Sequence, residues 1–156
     1  MLLKQLSEAF GVSGAEGEVR NILRNELEGI GNHKTDALGN LYVEKPGKKP
    51  GIKLMLCAHM DEVGLMVKSI DNNGWLRFDT VGGMDERVLV SKTVFVGPNK
   101  IKGVIGAKAI HLQEPSERKV PLKAKNLYID IGAKNKEDAE KHVKIGDFAD
   151  FNTEYK

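Results

Sequence analysis

A chain of 156 residues that is 40% hydrophobic and 29% charged, with a formal net charge of +2, has enough apolar material for a core and too little charge imbalance for a disordered chain. The 24 basic and 22 acidic residues are interspersed, and the basic clusters KPGKKPGIK (45–53) and KVPLKAK (119–125) lie among Pro and Gly without aromatics, so they read as solvated loops and not as a nucleic-acid surface. No segment has the length of a membrane span, MLLKQLSEAF is too short an apolar run for a secretory signal, and the single cysteine, Cys57, forms no intrachain disulfide, which together point to a cytoplasmic protein with a buried thiol.

The first predicted element is a helix over 2–10, where Leu2, Leu3, Leu6, Ala9 and Phe10 recur at helical spacing and Gly11 ends the run. A second helix follows in GAEGEVRNILRNELEGIG (14–31). There Val19, Ile22, Leu23 and Leu27 share one stripe, acids occupy the first turn, and Gly29 and Gly31 supply the stop. HKTDALGNLYVEK (33–45) reads as two short strands around a turn at 37–40. IKLMLCAH (52–59) is apolar on both faces, as a strand buried between helical layers should be, and predicts an α/β class.

Past Gly64 the pattern becomes mainly β. LMVKSI, GWLRFDT, RVLVSKTVFVG, KIKGVIGAK, NLYIDIGA and DFADFNTEY are short strand-like runs punctuated by Gly, Asn, Asp and Pro. One helix over 136–143 interrupts them, with Asn135 as N-cap and Glu137 and Asp138 in its first turn. A small barrel or sandwich of roughly ninety residues is within the ordinary domain range. Trp75 and Phe78 in GWLRF are expected to pack within it.

Chemistry concentrates in LMLCAHMDEVGLMV (54–67). If the chain stays extended past the strand, His59 and Asp61 share a face, because side chains two apart on a strand point the same way. The carboxyl end of a buried strand in an open α/β sheet faces the crevice where ligands bind. A neutral imidazole there can ligate zinc or cobalt through one nitrogen while a carboxylate accepts a hydrogen bond from the other. On spacing alone, a structural histidine satisfied at a strand end is the commoner arrangement.

The longer context is more specific. DALGNLYV, AHMDEVG, GWLRFDTVGGMDERVL, GVIGAKAIHLQ and LYIDIGAKNKEDA, in this order over nearly the whole chain, resemble the tetrahedral aminopeptidases, a family that includes glutamyl and deblocking aminopeptidases. The resemblance implies a co-catalytic peptidase using two divalent metal ions, zinc or cobalt. It implies a helix-flanked sheet domain interrupted by a PDZ-like β insert: residues 1–63 as the first part of the catalytic domain and 64–155 as the insert. His59 becomes a metal ligand and Asp61 its orienting carboxylate, while Glu62 is a poor general base, since the family's base belongs to a later Glu-Glu pair. Peptide substrates and homo-oligomers, from dimers to a twelve-subunit shell, are implied as partners; nucleic acid and membrane are not.

The family pattern continues with a bridging aspartate, that Glu-Glu pair, a further aspartate and a final histidine, for which no residue here is a match. Asp130 and Asp147 read as strand and turn carboxylates. Met84 stands where the family commonly has an aromatic, and Ala109 and Ile110 where it commonly has proline. His33 and His142 are expected at the surface, and His111 at a strand end either approaches substrate or is a plain loop residue. Residues 1–63 should be structurally incomplete, because IKLMLCAH lacks neighbouring strands in its own segment. Two other classes stay open: a non-catalytic oligomerisation module or one that captures peptides by strand addition, and, with less support, an endoglucanase-like hydrolase.

Overall fold

The computed structural model describes residues 1–116 and 119–156. They divide into two units, Met1–Asp61 with Glu154–Lys156, and Glu62–Thr153.

The first unit contains α1 (Leu2–Ser7), α2 (Gly17–Glu26) and a hairpin of β1 (Asn32–Thr35) and β2 (Leu41–Glu44). Helix α1 is shorter than its apolar spacing predicts: it ends at the C-cap Glu8, whose N–H still bonds the Lys4 carbonyl. The hairpin turn is built by Asp36, whose carboxylate accepts from the Leu38 and Asn40 amides at 3.0 and 2.9 Å, while Gly39 takes φ +89°. Arg20 donates to the Gly39 carbonyl at 3.1 Å and Arg24 to the Thr35 hydroxyl at 2.9 Å, which ties α2 to the hairpin. His33 is half-buried, not exposed as expected: its Nε2 lies 2.9 Å from the Leu27 carbonyl at the end of α2.

The predicted strand at 52–59 does not form. Among the described residues, β1 and β2 make a two-stranded sheet with no third member, and residues 51–61 carry no strand assignment. Ile52, Leu54, Met55 and Leu56 are between 80% and 99% exposed. Cys57, expected inside a core, is exposed as well. A strand apolar on both faces needs ladder partners on its edges and cover above and below, and the sequence pattern encodes only the strand itself. The described residues therefore do not assemble the expected helix-flanked sheet. They are mainly β.

The second unit is a closed barrel, with strand order β3-β4-β7-β6-β5-β8. Its strands are β3 (Gly64–Ile70), β4 (Leu76–Val81), β5 (Thr93–Val96), β6 (Ile101–Ala107), β7 (Leu127–Asp130) and β8 (Phe148–Phe151). Every pairing is antiparallel. β3 and β8 are neighbours, Leu65 opposite Ala149, whereas β4 and β7 meet only at Leu76 opposite Ile129. Alternation places Leu65, Val67, Leu76, Phe78, Val94, Val96, Ile105, Leu127 and Ile129 inside, all fully buried. Each such side chain contributes about 1.5–3 kcal/mol on leaving water.

Two sequence readings change within the barrel. RVLV is not part of a strand: Glu86–Val88 form a 3-10 turn capped by Asp85, which accepts from the Arg87 amide, and Leu89 turns into the core. Ser91, with φ +67°, then redirects the chain before β5 begins. His111 lies in a 3-10 turn, Ile110–Leu112, and not at a strand end, since β6 stops at Ala107. The third helix, α3 (Lys136–Glu140), starts as expected, with the Asn135 side chain accepting from the Asp138 amide at 2.9 Å, but ends three residues short of 143. Phe78 is in the core, and Trp75 stacks on Tyr128 with ring centroids 4.2 Å apart. No helix among the described residues is long and apolar enough to cross a membrane.

Candidate metal site

His59 and Asp61 come together at the end of the bare 52–61 segment. The His59 Nδ1 lies 2.9 Å from the Asp61 carbonyl oxygen and 3.2 Å from its Oδ1. Both neighbours are acceptors, an arrangement that favours the tautomer with the proton on Nδ1 and the lone pair on Nε2. The imidazole is 86% exposed. The second carboxylate oxygen of Asp61, Oδ2, accepts from the Ser13 hydroxyl. That hydrogen bond, first, and the nearby His59 ring hold the Asp61 carboxyl below the usual carboxylate range. Ser13 sits in a tight turn in which the Ala15 amide bonds the Val12 carbonyl at 2.7 Å and Gly14 adopts φ +93°.

The sequence pattern does not mark Ser13 as part of this site. Its only signal, S-G-A-E ahead of a helix, has the form of a capping box and points to the helix terminus. In the fold Glu16 takes the N-cap position, and no side chain bonds the helix end there.

One neutral imidazole with an oriented tautomer fits one ligand position for zinc or cobalt. Among the described residues no three His, Cys, Asp or Glu side chains gather as a metal-holding group. Asp130 accepts from the Gly132 amide and Asp147 from the Lys144 amide, both at 2.8 Å, as turn-forming carboxylates do. His111 and His142 are exposed.

Glu62 belongs to the barrel unit. Partial desolvation and then the charge and hydrogen bond of the buried Asp150 push its carboxyl up to about 7 from 4.5. The folded barrel therefore holds this proton more tightly than the unfolded chain does. Its contribution to stability is fullest below pH 4.5 and is lost as pH rises through about 7. Glu62→Gln should flatten that decline and stabilise the barrel above pH 7 by about 1 kcal/mol, the full shift being discounted because the side chain remains exposed. Urea titrations followed by Trp75 fluorescence at pH 5 and pH 8 test this. An unchanged pH slope in the variant would contradict it.

Residues 39–156 match the family of M42 glutamyl aminopeptidases, and the chain belongs to that family. Among its relatives, the FrvX protein of Escherichia coli is 44% identical over 152 residues, which cover 94% of this chain and 42% of FrvX. The solved endoglucanase of Thermotoga maritima is 41% identical with a TM-score of 0.85, covering 99% of this chain and 45% of its own. The TET1 peptidase of Pyrococcus horikoshii, which can assemble into a tetrahedron or a large octahedral shell, is 36% identical with a TM-score of 0.87, covering 99% and 47%. The chain thus spans less than half the length of these relatives.

Proposed function

We propose that this chain is the N-terminal portion of a metal-dependent aminopeptidase that removes residues from the amino end of peptides. Residues 1–63 would belong to the catalytic domain, 64–155 would form a PDZ-like insert within it, and a segment outside this chain would supply the remaining ligands and the general base. The observation that carries the reading is the family match over residues 39–156, which includes the paired His59 and Asp61.

In this reading His59 presents its Nε2 lone pair to one of two divalent ions, and Asp61 fixes the ring so that the lone pair stays there. The ions, when bound, lower the pKa of a water and polarise the scissile carbonyl. The shell-forming TET1 peptidase and the solved TET1 dodecamer support a homo-oligomeric assembly such as a twelve-subunit shell.

The Thermotoga relative favours a second reading, glycoside hydrolysis. The interacting acids Glu62 and Asp150 do not favour it: Asp150 is close enough to Glu62 to raise its proton affinity. Glycosidase carboxyl pairs stand about 5 Å apart or more, leaving room for the sugar or a water. Trp75 already has a ring face covered by Tyr128. The module that captures peptides by strand addition is disfavoured too, since each of the six barrel strands has two neighbours.

The test is an assay of the complete enzyme, loaded with zinc or cobalt, on aminoacyl p-nitroanilides and on carboxymethyl cellulose. Release from the anilides alone is expected; cleavage of the polysaccharide alone would refute the proposal. In the same enzyme Asp61→Asn should fold normally and lose about 10–100-fold in metal affinity or turnover, the usual weight of a carboxylate behind a metal-bound histidine.

A further inference from the structure

We infer that Ser13 is a positioning residue for the His59–Asp61 pair, its hydroxyl locking the Asp61 carboxylate so that the other oxygen stays beside the His59 Nδ1 and adds to the hold of the Asp61 carbonyl on that proton. The inference rests on the reading of His59 as a metal ligand and extends the site to a residue 46 positions earlier in the chain.

A carboxylate has two oxygens, and its terminal torsion is broad and roughly two-fold, so one hydrogen bond leaves its plane poorly fixed. Asp61 has both oxygens engaged: Oδ2 accepts from the Ser13 hydroxyl, and Oδ1 lies 3.2 Å from His59 Nδ1. The first is a charge-assisted bond to an ionised acceptor, roughly twice as strong as a neutral one. It spans 48 residues of sequence. It is therefore a tertiary tie and not local turn chemistry.

The turn that presents the hydroxyl is assembled without using it. The Val12 carbonyl accepts from Ala15, the Gly14 amide donates to the Glu16 carboxylate at 2.7 Å, and the Val12 side chain is fully buried as an anchor. A serine needed only to cap α2 would turn its oxygen to the first helical amides; Ser13 turns to Asp61 instead. The His59 ring, highly exposed, has little packing of its own to orient it, so the direction of its Nε2 depends on the two Asp61 acceptors beside Nδ1: the carbonyl at 2.9 Å, and the carboxylate oxygen at 3.2 Å, whose place depends in turn on Ser13.

The tautomer of His59 can be read directly in the full chain by 15N NMR above the imidazole pKa, with the resonances assigned against a His59→Gln chain. An imidazole free in water favours Nε2–H; the chain is expected to hold Nδ1–H. Ser13→Ala should shift the ratio towards Nε2–H by roughly three- to tenfold, the weight of one hydrogen bond. Ser13→Thr, which keeps the hydroxyl, should stay near the parent, and Asp61→Asn should shift as far as Ser13→Ala or farther. If Asp61→Asn shifts the ratio and Ser13→Ala leaves it unmoved, the role of Ser13 is overturned while the pair stands. A Ser13→Thr chain that behaves as Ser13→Ala would overturn that role as well. If the parent already shows Nε2–H and Asp61→Asn changes nothing, the His59–Asp61 reading itself falls.

Discussion

Amide exchange in this chain is expected to be faster by at least about a thousandfold at residues 52–58 than at the central strands of the barrel. Val67 and Ile105 have buried side chains, and their amides donate to the Asp147 and Lys92 carbonyls at 2.9 Å. Such amides exchange only when the barrel opens. For a unit of roughly ninety residues, even the low end of ordinary stability, about 0.05 kcal/mol per residue, amounts to about 5 kcal/mol and slows exchange by over three orders of magnitude. The amides of the 52–58 segment have no ladder, and its apolar side chains face solvent. The same exposure predicts association of the isolated chain through this segment, since a run of bare Ile, Leu and Met is an aggregation surface. Segment-resolved hydrogen exchange on a monodisperse, partner-free sample tests both. Slow exchange at Leu54, Met55 and Leu56 would show that the first unit completes its own core and that the catalytic domain is not interrupted by the barrel.

The second large effect concerns the metal. His59→Ala in the complete, metal-loaded enzyme should reduce activity by at least about a hundredfold. A structural zinc site is worth about 10–16 kcal/mol over four ligands, so one lost ligand removes a few kcal/mol, or two to three orders of magnitude in affinity for that ion. Metal content and turnover should fall together, and raising the free zinc or cobalt concentration should recover part of the loss. A variant that keeps both full metal content and full turnover would exclude His59 as a ligand. The isolated chain should bind zinc weakly or not at all, because its described residues offer no three-donor cluster.

Elements whose local pattern agrees with their final environment are legible in the sequence. Asn135 caps α3 because its side chain reaches an amide three residues on, Asp36 and Gly39 make the β1–β2 turn, and alternation in β3, β5 and β6 sorts core from surface. Those rules act over a few residues. The apolar pattern at 52–59 misleads because it states what the segment needs, not whether the partners are present. RVLV misleads because Asp85 turns the backbone at a point where hydrophobicity alone continues a strand. His59 and Asp61 are legible as a pair, two residues apart and in a long motif. Ser13 is not, because a tie across 48 residues leaves no periodicity and its surroundings imitate a helix cap.

The pairing of β3 with β8 has a consequence for how such a chain can change. The barrel's first and last strands lie side by side and antiparallel, Leu65 against Ala149 and Met66 against Phe148, so the chain enters and leaves it at neighbouring points. To whatever polypeptide flanks it, the barrel presents a pair of adjacent ends, as a short hairpin would. The closure entropy of such an interruption grows only slowly with its length. Loops on the far side of the barrel can therefore lengthen, shorten or diverge without moving the two points at which the chain enters and leaves it, which makes the barrel an exchangeable cassette in the polypeptide that carries it.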